Sequence, residues 1–171
     1  KALRKVNLNW NDVNSVAIAN QGETSMAWSV NNQNNMGPAI SWEDRRNQEI
    51  CKRLSKKKVD KLVRDKTGII LDPYFSASKF LWLLENNENV LNCFKKNQLR
   101  FGGTDTYVID QLTRGEIYAT DPGTASRTSL QNINTGKWDE ELINAFNLNI
   151  ECLPKIIKTI DNYGIINHKN I

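Results

Sequence analysis

Apolar positions along this chain come in short blocks, and the period of the blocks changes from place to place. Ser15-Val16-Ala17-Ile18-Ala19 is apolar and β-branched at intervals, which predicts a buried strand. It stops at the abruptly polar Asn20-Gln21-Gly22-Glu23-Thr24. Met26-Ala27-Trp28-Ser29-Val30 predicts a second strand, and Ala39-Ile40 a short return after a turn-rich stretch over 31–38. The pattern then turns helical. Ser41-Trp42-Glu43-Asp44 reads as a capping box that opens a helix to about Leu54, with Ile50 and Leu54 one turn apart. Val59, Leu62 and Val63 predict another short helix, closed by Gly68. Ser76 is placed to cap a third, with Phe80, Leu81, Leu83 and Leu84 as its buried stripe; Val90, Leu91 and Phe94 mark a fourth.

Leu99-Arg100-Phe101-Gly102 reads as a strand, and Thr104-Asp105 opens a helix through Leu112 that Gly115 terminates. Ile117 to Thr120 and Thr128 to Leu130 are strand-like, Asn134-Thr135-Gly136 is a turn, and Trp138 to Phe146 is helical. Strands alternating with helices predict an α/β architecture. No internal repeat and no linker divides residues 1–171, so a single domain is expected. The chain opens on Lys1, not Met, in what reads as the end of a helix over 2–6. The expectation is a piece of a longer chain.

Composition narrows the function classes. With 39% hydrophobic and 25% charged residues the chain is ordinary for a globular protein, and its net charge of +4 is a mild surplus. The most basic stretch, Lys52 to Lys58, is soon interrupted by Asp60 and Asp65, which predicts a solvated helix face and no nucleic-acid partner. No apolar run approaches the ~20 residues that cross a bilayer, so no membrane partner is expected. Cys51, Cys93 and Cys152 form no CxxC pair, and they read as reduced core thiols of a cytoplasmic protein without a zinc or redox site. His168 is the sole histidine, expected to be exposed and inert, which leaves a Ser–His triad unsupported. No GxxxxGK[ST] loop and no GxGxxG after a strand is present to hold a triphosphate.

Ligands of open α/β sheets bind beyond the carboxyl ends of strands. The run Asn20 to Thr24 is best placed for that, and Glu23 there can accept hydrogen bonds from hydroxyl groups or simply be solvated. Leu71-Asp72-Pro73-Tyr74-Phe75-Ser76 offers a phenol on a stiffened approach to a helix, or merely an aromatic staple. Trp42 can cover the C–H side of a polyol or anchor the core. In Thr120 to Thr128, Asp121 and Arg127 are candidates for an ion pair.

These segments, in this order, resemble the glycerol kinases of the FGGY carbohydrate kinase family. Ala17 to Thr24 resembles a family strand and loop reading ITNQRET; Ile40 to Arg46 resembles IVWQDRR; Thr67 to Ser76 matches TGLxLDPYFS, with Lys79 in its usual place. Phe101 to Tyr107 resembles FGTxDTW, Thr120 to Thr128 resembles TDxTNASRT, and Leu153-Pro154 and Tyr163-Gly164 match closing landmarks.

The resemblance implies an actin-like ATPase fold of ribonuclease-H-like type, here incomplete, with the first strands and the second domain absent. It implies that Glu23 and Tyr74 hydrogen-bond glycerol, that Trp42 packs on its carbon side, and that Gly22 stands where the family has a glycerol-contacting arginine. Losing such a donor costs on the order of 1.5–3 kcal/mol. The general base and the phosphate-contacting turn are expected beyond this chain, so no catalytic residue is assigned within it. ATP and Mg2+ are expected as cofactors of the complete enzyme and none on this piece, which is expected to be inactive alone. A homo-oligomer is implied for the complete enzyme. Gly22, the run Thr120-Asp121-Pro122-Gly123 and the run Ile157 to Asp161 depart from the pattern. They admit two alternatives: a catalytically dead remnant or regulatory module of the same fold, or a kinase for a related polyol. Without the first strands an exposed sheet edge, with weak folding or aggregation, is expected.

Overall fold

The computed structural model describes residues 2–166; His168 lies outside them. The chain begins with α1 (Ala2–Lys5) and one 3-10 turn over Trp10–Asp12, then runs without helix or strand to a turn at Gly22-Glu23. There β1 (Met26–Ser29) starts, and all four of its residues are buried. It pairs antiparallel with β2 (Leu99–Gly102), Met26 opposite Gly102 and Ser29 opposite Leu99. On its other edge single bridges join Ser25 to Ile40 and Trp28 to Asn35, so the predicted short return at Ile40 is a bridge, not a strand.

Between the paired strands run α2 (Gln48–Lys56), α3 (Val59–Thr67), α4 (Ser76–Asn86) and α5 (Glu88–Lys95). The predicted closure of α3 is found: Gly68 sits at φ 75°, a left-handed cap that glycine adopts without Cβ strain. α6 (Thr104–Leu112) leads to β3 (Ala119–Thr120), which pairs in parallel with β4 (Lys155–Ile156). Between those lie α7 (Pro122–Ser126) and α8 (Glu140–Ala145).

Helix α4 is the axis of the core. Phe80, Leu81, Leu83 and Leu84 are buried as the stripe predicts, and Phe80 stacks on Phe101 of β2 with ring centroids 4.7 Å apart. Leu142 and Phe146 close the same cluster from the far side. Each such fully buried side chain contributes roughly 1.5–3 kcal/mol.

Five expectations from the sequence differ from the structure. Residues 15–19 form no strand and are exposed, because no segment among the described residues pairs with them, and β-branched residues make a strand only when a ladder exists. The Ser41–Asp44 box does not open a helix. Asp44 accepts the Arg46 amide and its guanidinium instead, and α2 begins only at Gln48. Residues 128–130 are no strand, and α8 spans Glu140–Ala145, with Trp138 bridged to Gln131 outside it. Ser76 is the first residue of α4, not its cap; Phe75 holds that position.

Candidate functional site

The bridge between Ser25 and Ile40 sets the site. Ser25 N–H donates to the Ile40 carbonyl and Ile40 N–H to the Ser25 carbonyl, both at 2.9 Å. Glu23 lies two residues before this exchange and Trp42 two after it on the antiparallel partner, so both fall at the same end. Glu23 is buried at 8% exposure while Trp42 is partly open at 37%.

Tyr74 arrives from the other direction. The Asp72 carboxylate accepts the Tyr74 amide at 2.9 Å, which bends the LDPYFS run into the start of α4. The Tyr74 ring lies 5.8 Å from that of Trp42, tilted by 60°. Trp42 and Tyr74 share a cavity of about 470 Å³ with Arg45, Ile70, Asp72 and Phe75. Glu23 does not line that cavity.

Lys79 ties Glu23 to Tyr74. Its Nζ is wholly buried and donates to the Glu23 carbonyl and to the Tyr74 carbonyl, each at 2.7 Å. Burial pushes its ammonium down to about 8, against the opposing pull of the Glu23, Asp44 and Asp72 carboxylates. One cation under the surface therefore fixes the backbones of two loops that are 51 residues apart in sequence (74 − 23).

Arg127 completes the arrangement. The sequence offers Asp121 as its partner, but in the structure Asp121 is engaged elsewhere. It caps α7 by accepting Thr124 N–H, and it accepts the Thr159 hydroxyl. Burial pushes the Asp121 carboxyl up, but those bonds together outweigh it and hold the group below the usual carboxylate range. Arg127, one residue past α7, donates from Nε to Glu23 Oε1 at 2.6 Å. It is brought there because the first turn of α4 donates Ala77 N–H to the Thr128 carbonyl at 2.8 Å. Its guanidinium carbon lies 5.0 Å from the centre of the Phe75 ring and 5.8 Å from that of Tyr74.

Glu23, Tyr74, Trp42 and Arg127 thus stand in a connected row, with Lys79 beneath. Gly22 is adjacent to Glu23 but lines a different, larger cavity of about 990 Å³, together with Val16, Ile18, Asp105 and Arg127. The carboxylate, the indole and the phenol are all candidates from sequence. Lys79 and Arg127 are not assigned to this cluster by any local pattern. A lysine inside the apolar stripe of α4 is the available signal, since a buried ammonium needs acceptors. Among the described residues no group of three or more His, Cys, Asp or Glu side chains is placed to hold a metal, and no helix is long and apolar enough to cross a membrane.

Comparison with known proteins agrees with the order of these landmarks. Residues 1–171 match the FGGY family of carbohydrate kinases, N-terminal domain. A glycerol kinase of Shewanella frigidimarina is 42% identical over 164 residues, 96% of this chain and 33% of the relative. One of Dichelobacter nodosus is 39% identical over 171 residues, 100% of this chain and 34% of the relative. A crystal structure of Plasmodium falciparum glycerol kinase with ADP superposes with a TM-score of 0.86 at 35% identity, over 91% of this chain and 31% of that one. The chain spans about a third of the length of the curated relatives it matches. The fold is that of the sugar kinases, an actin-like ATPase fold of mixed α/β type.

Proposed function

This chain belongs to the FGGY family of carbohydrate kinases, and from that membership we propose that the complete protein carrying it is a glycerol kinase, transferring the γ-phosphoryl group of ATP to a terminal hydroxyl of glycerol to give glycerol 3-phosphate. Identity of 37–42% with eight glycerol kinases over at least 90% of this chain supports the substrate. The single observation that carries the reading is Lys79 holding the Glu23 and Tyr74 loops together beside Trp42. A carboxylate, a phenol and an indole face suit a small uncharged polyol: buried hydrogen-bonding groups reject analogues that lack the matching hydroxyl.

In this reading Glu23 and Tyr74 bind glycerol hydroxyls, Trp42 covers its carbon side, and Gly22, next to Glu23 on the lining of the neighbouring larger cavity, contributes no side chain to the ligand. ATP and Mg2+ serve the complete protein, and this chain supplies the polyol side alone. Phosphoryl transfer gains most from positioning and charge neutralisation, so the contribution of these residues is to fix the accepting hydroxyl. A cytoplasmic location and a homo-oligomeric complete enzyme belong to the same reading.

A second reading is favoured by one observation, the missing side chain at Gly22. It takes the protein as a non-catalytic remnant or regulatory module of the same fold. Steady-state assay of the complete protein with MgATP and glycerol separates the two. Formation of glycerol 3-phosphate supports the kinase, and its absence while the folded protein still binds glycerol supports the remnant. The 171-residue chain by itself is expected to form none.

A further inference from the structure

Arg127 has more donors than Glu23 uses. A guanidinium carries five N–H groups, and Nε spends one on Glu23 Oε1 at 2.6 Å. Among the described residues Nη1 and Nη2 donate to no protein oxygen, and Glu23 Oε2 accepts from no protein donor. The Arg127 side chain is 39% exposed, so its free donors are open to a ligand. It is nevertheless held in place, since the Phe75 and Tyr74 rings lie 5.0 and 5.8 Å from its charged carbon.

Gly22 explains the space beside it. A Cβ at position 22 would stand 3.5 Å from Arg127 Cγ and 3.8 Å from its Cβ, the only atoms within 4 Å outside residues 21–23. Both are ordinary van der Waals separations, so Gly22 leaves room beside the Arg127 stem where a side chain would otherwise stand.

Together Glu23 Oε2 and the Arg127 Nη groups offer an acceptor next to fixed donors. That pairing matches a hydroxyl, which both donates and accepts. A carboxylate and a guanidinium bonded to each other also leave the spot with no net charge, as a neutral substrate requires. We propose that Arg127 is a substrate-binding residue of this site: it orients the Glu23 carboxylate through Nε and donates from Nη to one hydroxyl of the bound polyol. The inference rests on the polyol reading above and assigns that reading its cationic donor.

Glycerol, propane-1,2-diol and propane-1,3-diol separate the possibilities, because the two diols each lack one kind of hydroxyl. Their affinities for the complete protein containing this sequence are measured by calorimetry, for the wild type, Arg127→Met and Arg127→Lys. The wild type is expected to bind glycerol at least about tenfold more tightly than one of the diols. Arg127→Met is expected to lose about tenfold to a hundredfold in glycerol affinity while leaving that diol within about threefold, so the preference collapses. Arg127→Lys, a compact point charge without the fork, restores the preference only in part. An unchanged preference in the methionine variant overturns the proposal. If that variant does not fold, an unchanged preference in the lysine variant overturns it. A wild type that binds none of the three compounds overturns the polyol reading itself, and this inference with it.

Discussion

Two faces of the molecule are built on opposite rules. Around α4 and β2, buried polar groups make specific pairings: Lys79 between two carbonyls, Asn47 donating to the Pro73 carbonyl and to Ser78 Oγ although its Oδ1 accepts from no partner among the described residues, and Arg100 paired with the fully buried Asp110. Along residues 13–18 and 160–166, apolar groups stand in solvent around the 990 Å³ cavity: Val16 is 49% exposed, Ile160 94% and Ile165 87%. The first face gains specificity from hydrogen bonds that only one backbone arrangement satisfies. The second carries hydrophobic residues that bury little area and so add little stability. Stability and the Lys79-tied part of the candidate polyol site therefore reside together, while Gly22 and Arg127 border the open cavity, and substitutions in the packed core and among the exposed apolar residues should differ by an order of magnitude.

The largest effect is expected where charge and core meet. Asp110→Ala leaves the Arg100 guanidinium half-buried without its carboxylate and removes an acceptor from Gln33. Breaking a buried pair costs about 3–5 kcal/mol, and Phe101→Ala, which empties the space against Phe80, costs a similar ~3–5 kcal/mol. Urea unfolding followed by far-ultraviolet circular dichroism measures both. A loss under about 1 kcal/mol in either would mean that the packed face is not where stability resides.

Lys79 comes next, and its effect carries a sign in pH. An ordinary lysine titrates at 10.5, and burial brings this one down to about 8. Between those values the unfolded chain keeps a proton that the folded chain has released, so this group's contribution to stability rises with pH across the window. Below about pH 8 the folded protein bears the full cost of the buried charge, roughly 3 kcal/mol; above 10.5 that cost is gone. Other groups contribute in the same range, including Cys152, whose thiol ordinarily titrates at 9.0 and which burial pushes up to about 12. The clean measurement is therefore the stability difference between wild type and Lys79→Met. From pH 7 to pH 10 it should move by about 2.5 kcal/mol in favour of the wild type. A difference that stays flat would place the ammonium in contact with water.

What the sequence conveyed about these faces follows the same division. The packed face was legible because helical periodicity and local caps report themselves within a dozen residues: the α4 stripe and the Gly68 closure of α3 are both found. Its pairings were not legible. Arg127 and Glu23 are 104 positions apart, and nothing local distinguishes Glu23 from Asp121 as the partner. The Ser41–Asp44 box has the right spacing, yet a competing arginine two residues on takes the carboxylate. On the open face the reading failed in the other direction. Val16 and Ile18 have the residue types of a strand, but strand formation depends on a partner whose presence no local pattern encodes.

The smallest effect tests the open face directly. Ile160→Ser and Val16→Ser remove apolar side chains that are 94% and 49% exposed. With so little area withdrawn from water, each should change unfolding free energy by no more than about 0.5 kcal/mol. Hydrogen exchange gives the same test without substitution. The amides of residues 15–20 have no strand partner among the described residues and should exchange within the dead time, while Ala27 and Phe101, paired in the β1–β2 ladder, should be protected to near the global unfolding free energy. If Val16→Ser instead costs about 2 kcal/mol or more, or if the amides of 15–20 are protected, then this segment is paired in solution, and the contrast between a packed face and an open one is lost.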